Sequence, residues 1–199
     1  MRALAGMALL AVVVASPVVA QAQGASTPTR QGFTISLGLG GGSAGLSCNG
    51  CDSDRENGLS GYLRMGGTVR PNLIVGGETN GFTKTESEAG AEATATISYV
   101  SAYAQWLPQP ANGFYLKGGL GLGLVNFEVT GTISGTMKSK GAGLTLGTGY
   151  DWRLAPNFSL TPYANYLFMA KGDAKVDGTS TGEKLGANVL QLGLGVTWH

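Results

Sequence analysis

Leu190-Gln191-Leu192-Gly193-Leu194-Gly195-Val196-Thr197-Trp198 alternates a large apolar residue with a small or polar one to the last position. Side chains of an extended strand point to opposite faces in turn. Leu190, Leu192, Leu194, Val196 and Trp198 therefore share one face, and Gln191, Gly193, Gly195 and Thr197 the other. The same text occurs upstream. Leu146-Gly-Thr-Gly-Tyr-Asp-Trp152 matches Leu192-Gly-Leu-Gly-Val-Thr-Trp198, and Trp106, Trp152 and Trp198 are evenly spaced along the chain. The repeating unit is a pair of strands with its connections.

Working outward, the two-residue period recurs. Phe33, Ile35, Leu37 and Leu39 oppose Thr34, Ser36, Gly38 and Gly40. Phe114, Leu116, Leu120, Leu122 and Leu124 oppose Tyr115, Lys117, Gly119, Gly121 and Gly123. Breakers divide the strands at Arg70-Pro71-Asn72, at Pro108–Gly113 and at Ala155-Pro156-Asn157. Longer polar stretches fall between these, at Ser47–Asn57, Lys84–Ala93, Thr130–Ser139 and Gly172–Gly186. Seven connections make eight strands, at about 32–46, 58–70, 72–83, 94–107, 114–128, 140–152, 158–171 and 187–199. Strand four is weakly apolar outward (Val100, Ala102, Ala104) with Tyr99 and Tyr103 inward, and its pattern also admits the opposite parity. Pro162 lacks a ladder donor inside strand seven, which predicts a bulge or a late start there.

The apolar face meets lipid rather than a soluble core. It carries no charge across the eight strand cores, whereas Arg64, Glu78, Lys117 and Asp151 lie on the other face. A cation on the lipid face at mid-depth costs about 2–4 kcal/mol. Phe33, Trp106, Phe114, Tyr150, Trp152, Phe158 and Trp198 cluster beside the short turns as an interfacial girdle. Hydrocarbon offers no hydrogen-bond partners, so a spanning sheet must close on itself. The expected fold is all-β: an eight-stranded antiparallel up-and-down transmembrane β-barrel with four longer outer loops and three short periplasmic turns. Inward glycines make room for Tyr62, Tyr99, Tyr103, Tyr115 and Tyr163 in a bore that an eight-stranded barrel just fills.

Composition agrees. The chain has 199 residues, of which 34 are glycine and 13% are charged, with a formal net charge of +1. That charge content is well below the quarter usual for soluble domains. Residues 1–22 read as a signal peptide, with Arg2 as the basic start, an apolar stretch from Ala3 to Ala15, and a cleavage signal at Ala20-Gln21-Ala22 with Val18-Val19-Ala20 as a competing site. Residues 23–31 form a linker, and residues 32–199 form the barrel domain.

This pattern resembles the OmpA/OmpX-like superfamily of small outer-membrane barrels, over nearly the whole mature chain. The most specific part is the family's C-terminal assembly signal, which here reads Gln191, Gly193, Val196, Trp198. The family usually ends on the aromatic, whereas His199 follows it here. The resemblance implies a bacterial outer-membrane, multi-pass location after export through the inner membrane. It also implies outer-membrane lipid and the barrel-assembly machinery as partners, and roles such as envelope integrity or adhesion.

Chemistry is sparse. His199 is the single histidine and lies at the extreme end, so a Ser/His/carboxylate relay is not expected and no catalytic residue is assigned. Cys48-Asn-Gly-Cys51 reads as a small disulfide in an oxidising compartment; two cysteines without a nearby histidine do not complete a zinc site. No cofactor, metal or nucleic acid is expected, and the protein is expected as a monomer. Asp52, Asp54 and Glu56, like Glu86, Glu88 and Glu92, are of a kind that can touch a divalent cation but read first as ordinary solvated loops. If Val69 opposes Leu73 and the loop after strand five centres near Ser134, two inward ion pairs follow: Arg64–Glu78 and Lys117–Asp151. Three functions remain open: a non-enzymatic structural or surface-interaction barrel, a narrow porin, and a lipid- or hydrophobe-binding barrel supported by inward Leu167 and Met169.

Overall fold

In the computed structural model, eight strands of 15–20 residues run in simple antiparallel order. The structure describes residues 32–48, 51, 52, 54–88, 91–131 and 134–199; the expected signal peptide and linker lie outside them. The strands are β1 (Phe33–Cys48), β2 (Glu56–Arg70), β3 (Leu73–Glu88), β4 (Ala91–Trp106), β5 (Phe114–Thr130), β6 (Gly135–Tyr150), β7 (Phe158–Val176) and β8 (Thr179–Trp198). Two short strands, Cys51–Asp52 and Trp152–Ala155, extend β1 and β7 pairing. Each long strand pairs with its sequence neighbours, and β1 pairs with β8 from Ile35↔Trp198 to Cys48↔Leu185. The sheet is therefore closed, with no edge.

The two-residue period sorts lipid from lumen as the alternation predicts. Leu37, Leu120, Leu122, Val100, Leu192 and Leu194 point out; Tyr62, Tyr99, Tyr103, Tyr115 and Tyr163 are buried inside. Inward glycines accommodate the rings. A Cβ on Gly38 would lie 2.4 Å from the Tyr62 ring and 2.7 Å from that of Tyr163, and those two rings meet edge to face at 4.7 Å. The aromatic residues of the girdle lie beside the turns at 71–72, 107–113 and 156–157. Phe158 packs edge to face on Trp198 at 5.5 Å.

Two expectations are corrected. The polar stretches at 84–93, 130–139 and 172–186 are mostly strand rather than long loop. The ladder continues past the length needed to cross hydrocarbon, about 9–11 residues, because backbone pairing does not require apolar side chains. The β7–β8 connection is a two-residue turn, with Asp177 and Gly178 both at positive φ, as a tight hairpin requires. The connection at 107–113 is longer than that turn, so the two ends of the barrel differ in strand overhang rather than loop length. The second correction concerns Pro162. Strand β7 starts at Phe158, and its register with β8 runs without a shift through Leu194↔Pro162. The break falls on the other neighbour, at Asp151, between β6 and Trp152–Ala155. Pro162 has no N–H to give to that side.

The interior is layered. At the turn end, Ile74, Tyr103, Leu107 and Tyr115 close the bore. The middle is polar. Toward the loop end, Phe82, Ile97, Tyr99, Val125, Leu167, Met169 and Val189 pack as an apolar plug.

Candidate functional site

The polar middle layer is where the chain places its inward charges. Alternation alone turns Arg64 of β2, Glu78 of β3 and Lys117 of β5 into the lumen, and all three are buried. The β2–β3 hairpin sets Arg64 directly opposite Glu78 in register, as expected from the turn. Their side chains part company. Glu78 forms its ion pair with Lys117, and neither side chain has any exposed surface. Thr145 Oγ1 donates to Glu78 Oε1 at 2.9 Å and Ser101 Oγ at 3.3 Å. Gly147 leaves space for the lysine stem, since a Cβ there would lie 2.9 Å from Lys117 Cε.

Arg64 instead lies among tyrosine rings. Its guanidinium carbon is 5.1 Å from the Tyr62 and Tyr115 ring centres and 5.6 Å from that of Tyr103. It donates long hydrogen bonds to Tyr115 Oη (3.4 Å) and Ser36 Oγ (3.5 Å). Such cation–π contacts strengthen when desolvated.

The expected Lys117–Asp151 pair is corrected. The β5–β6 register is centred two residues before Ser134, so Lys117 faces Gly147. Asp151 lies past the end of β6, near the turn end. Its Oδ1 accepts from Thr161 Oγ1 at 2.9 Å. From there hydroxyls run inward: Thr161 to Thr197, Thr197 to Ser36, and Ser36 to Tyr62, each at 2.8 Å.

Sequence reasoning missed an amide layer above Glu78. Asn165 Nδ2 reaches Gln191 Oε1 at 3.3 Å and Asn80 Oδ1 at 3.5 Å, and Gln191 Nε2 donates to the Gly81 carbonyl at 3.0 Å. Inward parity was the available signal for these residues. Gln191 thus has an interior structural role besides its position in the terminal motif. Within that motif, Gly193 is opposite Gly40 at the β8–β1 seam, and Val196 and Trp198 pair with Leu37 and Ile35.

At the loop end, Lys84 bridges Glu56 and Glu86, the latter at 2.6 Å. The hydrogen bonds that Lys84 donates to these two carboxylates raise its pKa above the ordinary value. A cleft of about 180 Å³ opens there over Phe82, Ile97 and Phe127, with Glu56, Lys84 and Glu86 on its rim. Cys48 is disulfide-bonded; the side chain of Cys51 lies outside the described residues. At the turn end, the His199 ring meets Ser159 Oγ through Nε2 at 2.9 Å, and Ser159 is wholly buried.

Residues 60–197 match the family described as the autotransporter β-domain. No curated protein matches the chain. Solved barrels share the fold. Ail, the attachment invasion locus protein of Yersinia pestis, in complex with the heparin analogue sucrose octasulfate, aligns with a TM-score of 0.58 at 18% identity, covering 83% of this chain and 99% of Ail. Neisserial surface protein A aligns with a TM-score of 0.54 at 17% identity, over 84% of this chain and 97% of its own. OprG from Pseudomonas aeruginosa aligns at 0.51 and 13% identity, over 87% and 99%.

Proposed function

The chain belongs to the autotransporter β-domain family and is an integral β-barrel of a bacterial outer membrane; on that premise we propose that it works as a closed, non-enzymatic barrel in a structural or surface-interaction role. The observation that carries this reading is the filled bore. The buried Lys117–Glu78 pair and the tyrosine-caged Arg64 span the middle, and apolar plugs pack above and below them. The family's name raises the expectation of transport through the barrel. A conducting path would have to open two packed layers and separate a desolvated ion pair, which supports a wall rather than a conduit.

The non-enzymatic part rests on access. The contact of Ser159 with His199 places a wholly buried hydroxyl beside the imidazole; a nucleophile must reach its target. The loop-end overhangs, with their exposed charged side chains, are the surface available to partners. Lipid contact, assembly by the barrel-assembly machinery and a monomeric state are parts of the same proposal.

Conductance in planar lipid bilayers tests it. The purified barrel is expected to show no large, steady conductance. Large, steady openings would overturn the closed-barrel reading in favour of the porin.

A further inference from the structure

Strand β7 changes parity near its loop end. Tyr163, Asn165, Leu167 and Met169 point inward at alternate positions, yet the next inward residue is Ala174. Met169 and Ala174 are an odd number of residues apart, and the register shifts at this place against both β6 and β8. This is a bulge, a device that re-aims side chains. Its result is to turn Asp173 and Lys175 onto the outer wall. Without it, Lys175 would enter the apolar plug.

On that wall Lys175 is the direct ladder partner of Lys138. Lys140 follows on the same outward face of β6, and Lys184 of β8 is opposite Asp173. Four lysines and one aspartate give these residues a net charge of +3, with Glu128 of β5 two residues beyond Asn126, the ladder partner of Lys138. Among the described residues, no carboxylate forms an ion pair with Lys138, Lys140 or Lys175. Like charges directly opposite across a ladder are destabilising, so the arrangement lacks an anion.

The group also has a position. A cleft of about 570 Å³ is lined by Lys138, Lys140, Asp173 and Lys175 and by Leu124, the ladder partner of Lys140. Beneath it the exposed wall is Leu120, Leu122, Leu144, Leu146, Tyr166 and Phe168, the apolar belt that meets hydrocarbon. The lysines therefore stand at the upper margin of the membrane, where basic side chains meet lipid headgroups.

We infer that this cleft across β5, β6 and β7 seats the phosphorylated headgroup of a lipid in the leaflet at the loop end, with an acyl chain lying along Leu124. The lysines supply the anion site, and the leucines below distinguish a lipid from a free phosphate.

Native mass spectrometry of the folded barrel in detergent tests this with three probes: bis-phosphorylated lipid A, the same lipid with both phosphates removed, and inorganic phosphate. The phosphorylated lipid should bind and the dephosphorylated one should bind far more weakly. A basic side chain at a membrane surface contributes roughly fivefold in affinity, so K138Q/K140Q/K175Q should lose about a hundredfold. R70Q/R153Q, which removes two arginines from the turn end, should bind as the parent does. Heat-dependent gel migration shows which variants are folded; if the triple variant does not assemble, K175Q and the parent's preference between the two lipids decide. Equal binding of both lipids, unchanged binding by the folded lysine variants, or displacement of the lipid by equimolar phosphate would each overturn the inference.

Discussion

Glu78 accepts hydrogen bonds from Lys117, Thr145 and Ser101 in a space closed to water. Removing one member of such a pair strands the other charge, at a cost of about 3–5 kcal/mol. Glu78→Gln should therefore lower the unfolding free energy of the barrel, read from equilibrium denaturation, by an amount of that order. Adding Lys117→Met removes the stranded cation, so the double variant should be more stable than the single one. If the two effects simply add, the ion pair is not the source of the loss. Parity was enough to send Arg64, Glu78 and Lys117 inward. It could not pair them. The ladder sets Arg64 beside Glu78, but the lysine that reaches Glu78 comes from β5, two strands away. Partners inside a narrow bore are chosen across it, and strand register says nothing about that direction.

At the scale of the strand, the lipid-crossing parts were legible and the overhangs were not. Within the membrane each position must suit either hydrocarbon or lumen, which writes a strong alternation. Beyond it both faces meet water, and the Thr-, Ser- and Glu-rich ends of β3, β4, β6, β7 and β8 look like loop while continuing to pair. The same reasoning separates glycines that the strands need from those they tolerate. A Cβ on Gly149 would meet Tyr115 Oη at 2.4 Å, Tyr115 Cζ at 2.6 Å and the Pro162 carbonyl at 2.7 Å, whereas one on Gly81 meets nothing within 4 Å. Backbone and a packed ring cannot yield together, and overpacking of this kind costs about 1–3 kcal/mol. Gly149→Ala should destabilise the barrel by that amount in equilibrium unfolding, with Gly81→Ala close to the parent. Equal effects would mean that loss of glycine, not the tyrosine contact, matters.

For the whole molecule, the decisive event is closure of β8 onto β1. Gly193 and Gly40 face each other at that seam, and a Cβ on Gly193 would lie 2.3 Å from the Leu39 carbonyl and 2.8 Å from Tyr163 Oη. Gly193→Val should reduce the fraction of protein that reaches the compact, heat-sensitive form in gels. Full recovery of that form would confine Gly193 to a recognition role. By contrast, the Cys48–Cys51 spacing closes so short a loop that its chain-entropy gain is small. Replacing both cysteines by serine should leave the compact form intact, and failed assembly would assign the motif a larger part.

Sequence by itself determined the number of strands, their turn-end boundaries, the lipid and lumen faces and the closure of the sheet. Each of these follows from local rules: alternate side chains oppose, breakers interrupt, and hydrocarbon admits no unpaired backbone. Only the tertiary structure decided that Glu78 pairs with Lys117, that Arg64 sits among tyrosines, that Asp151 belongs to a hydroxyl chain at the turn end, and that a bulge in β7 gathers lysines on the outer wall. Those outcomes depend on strand tilt and on register summed around a closed barrel. A shift of one residue anywhere in that circuit exchanges the faces or the partners, and no local stretch of sequence carries the sum.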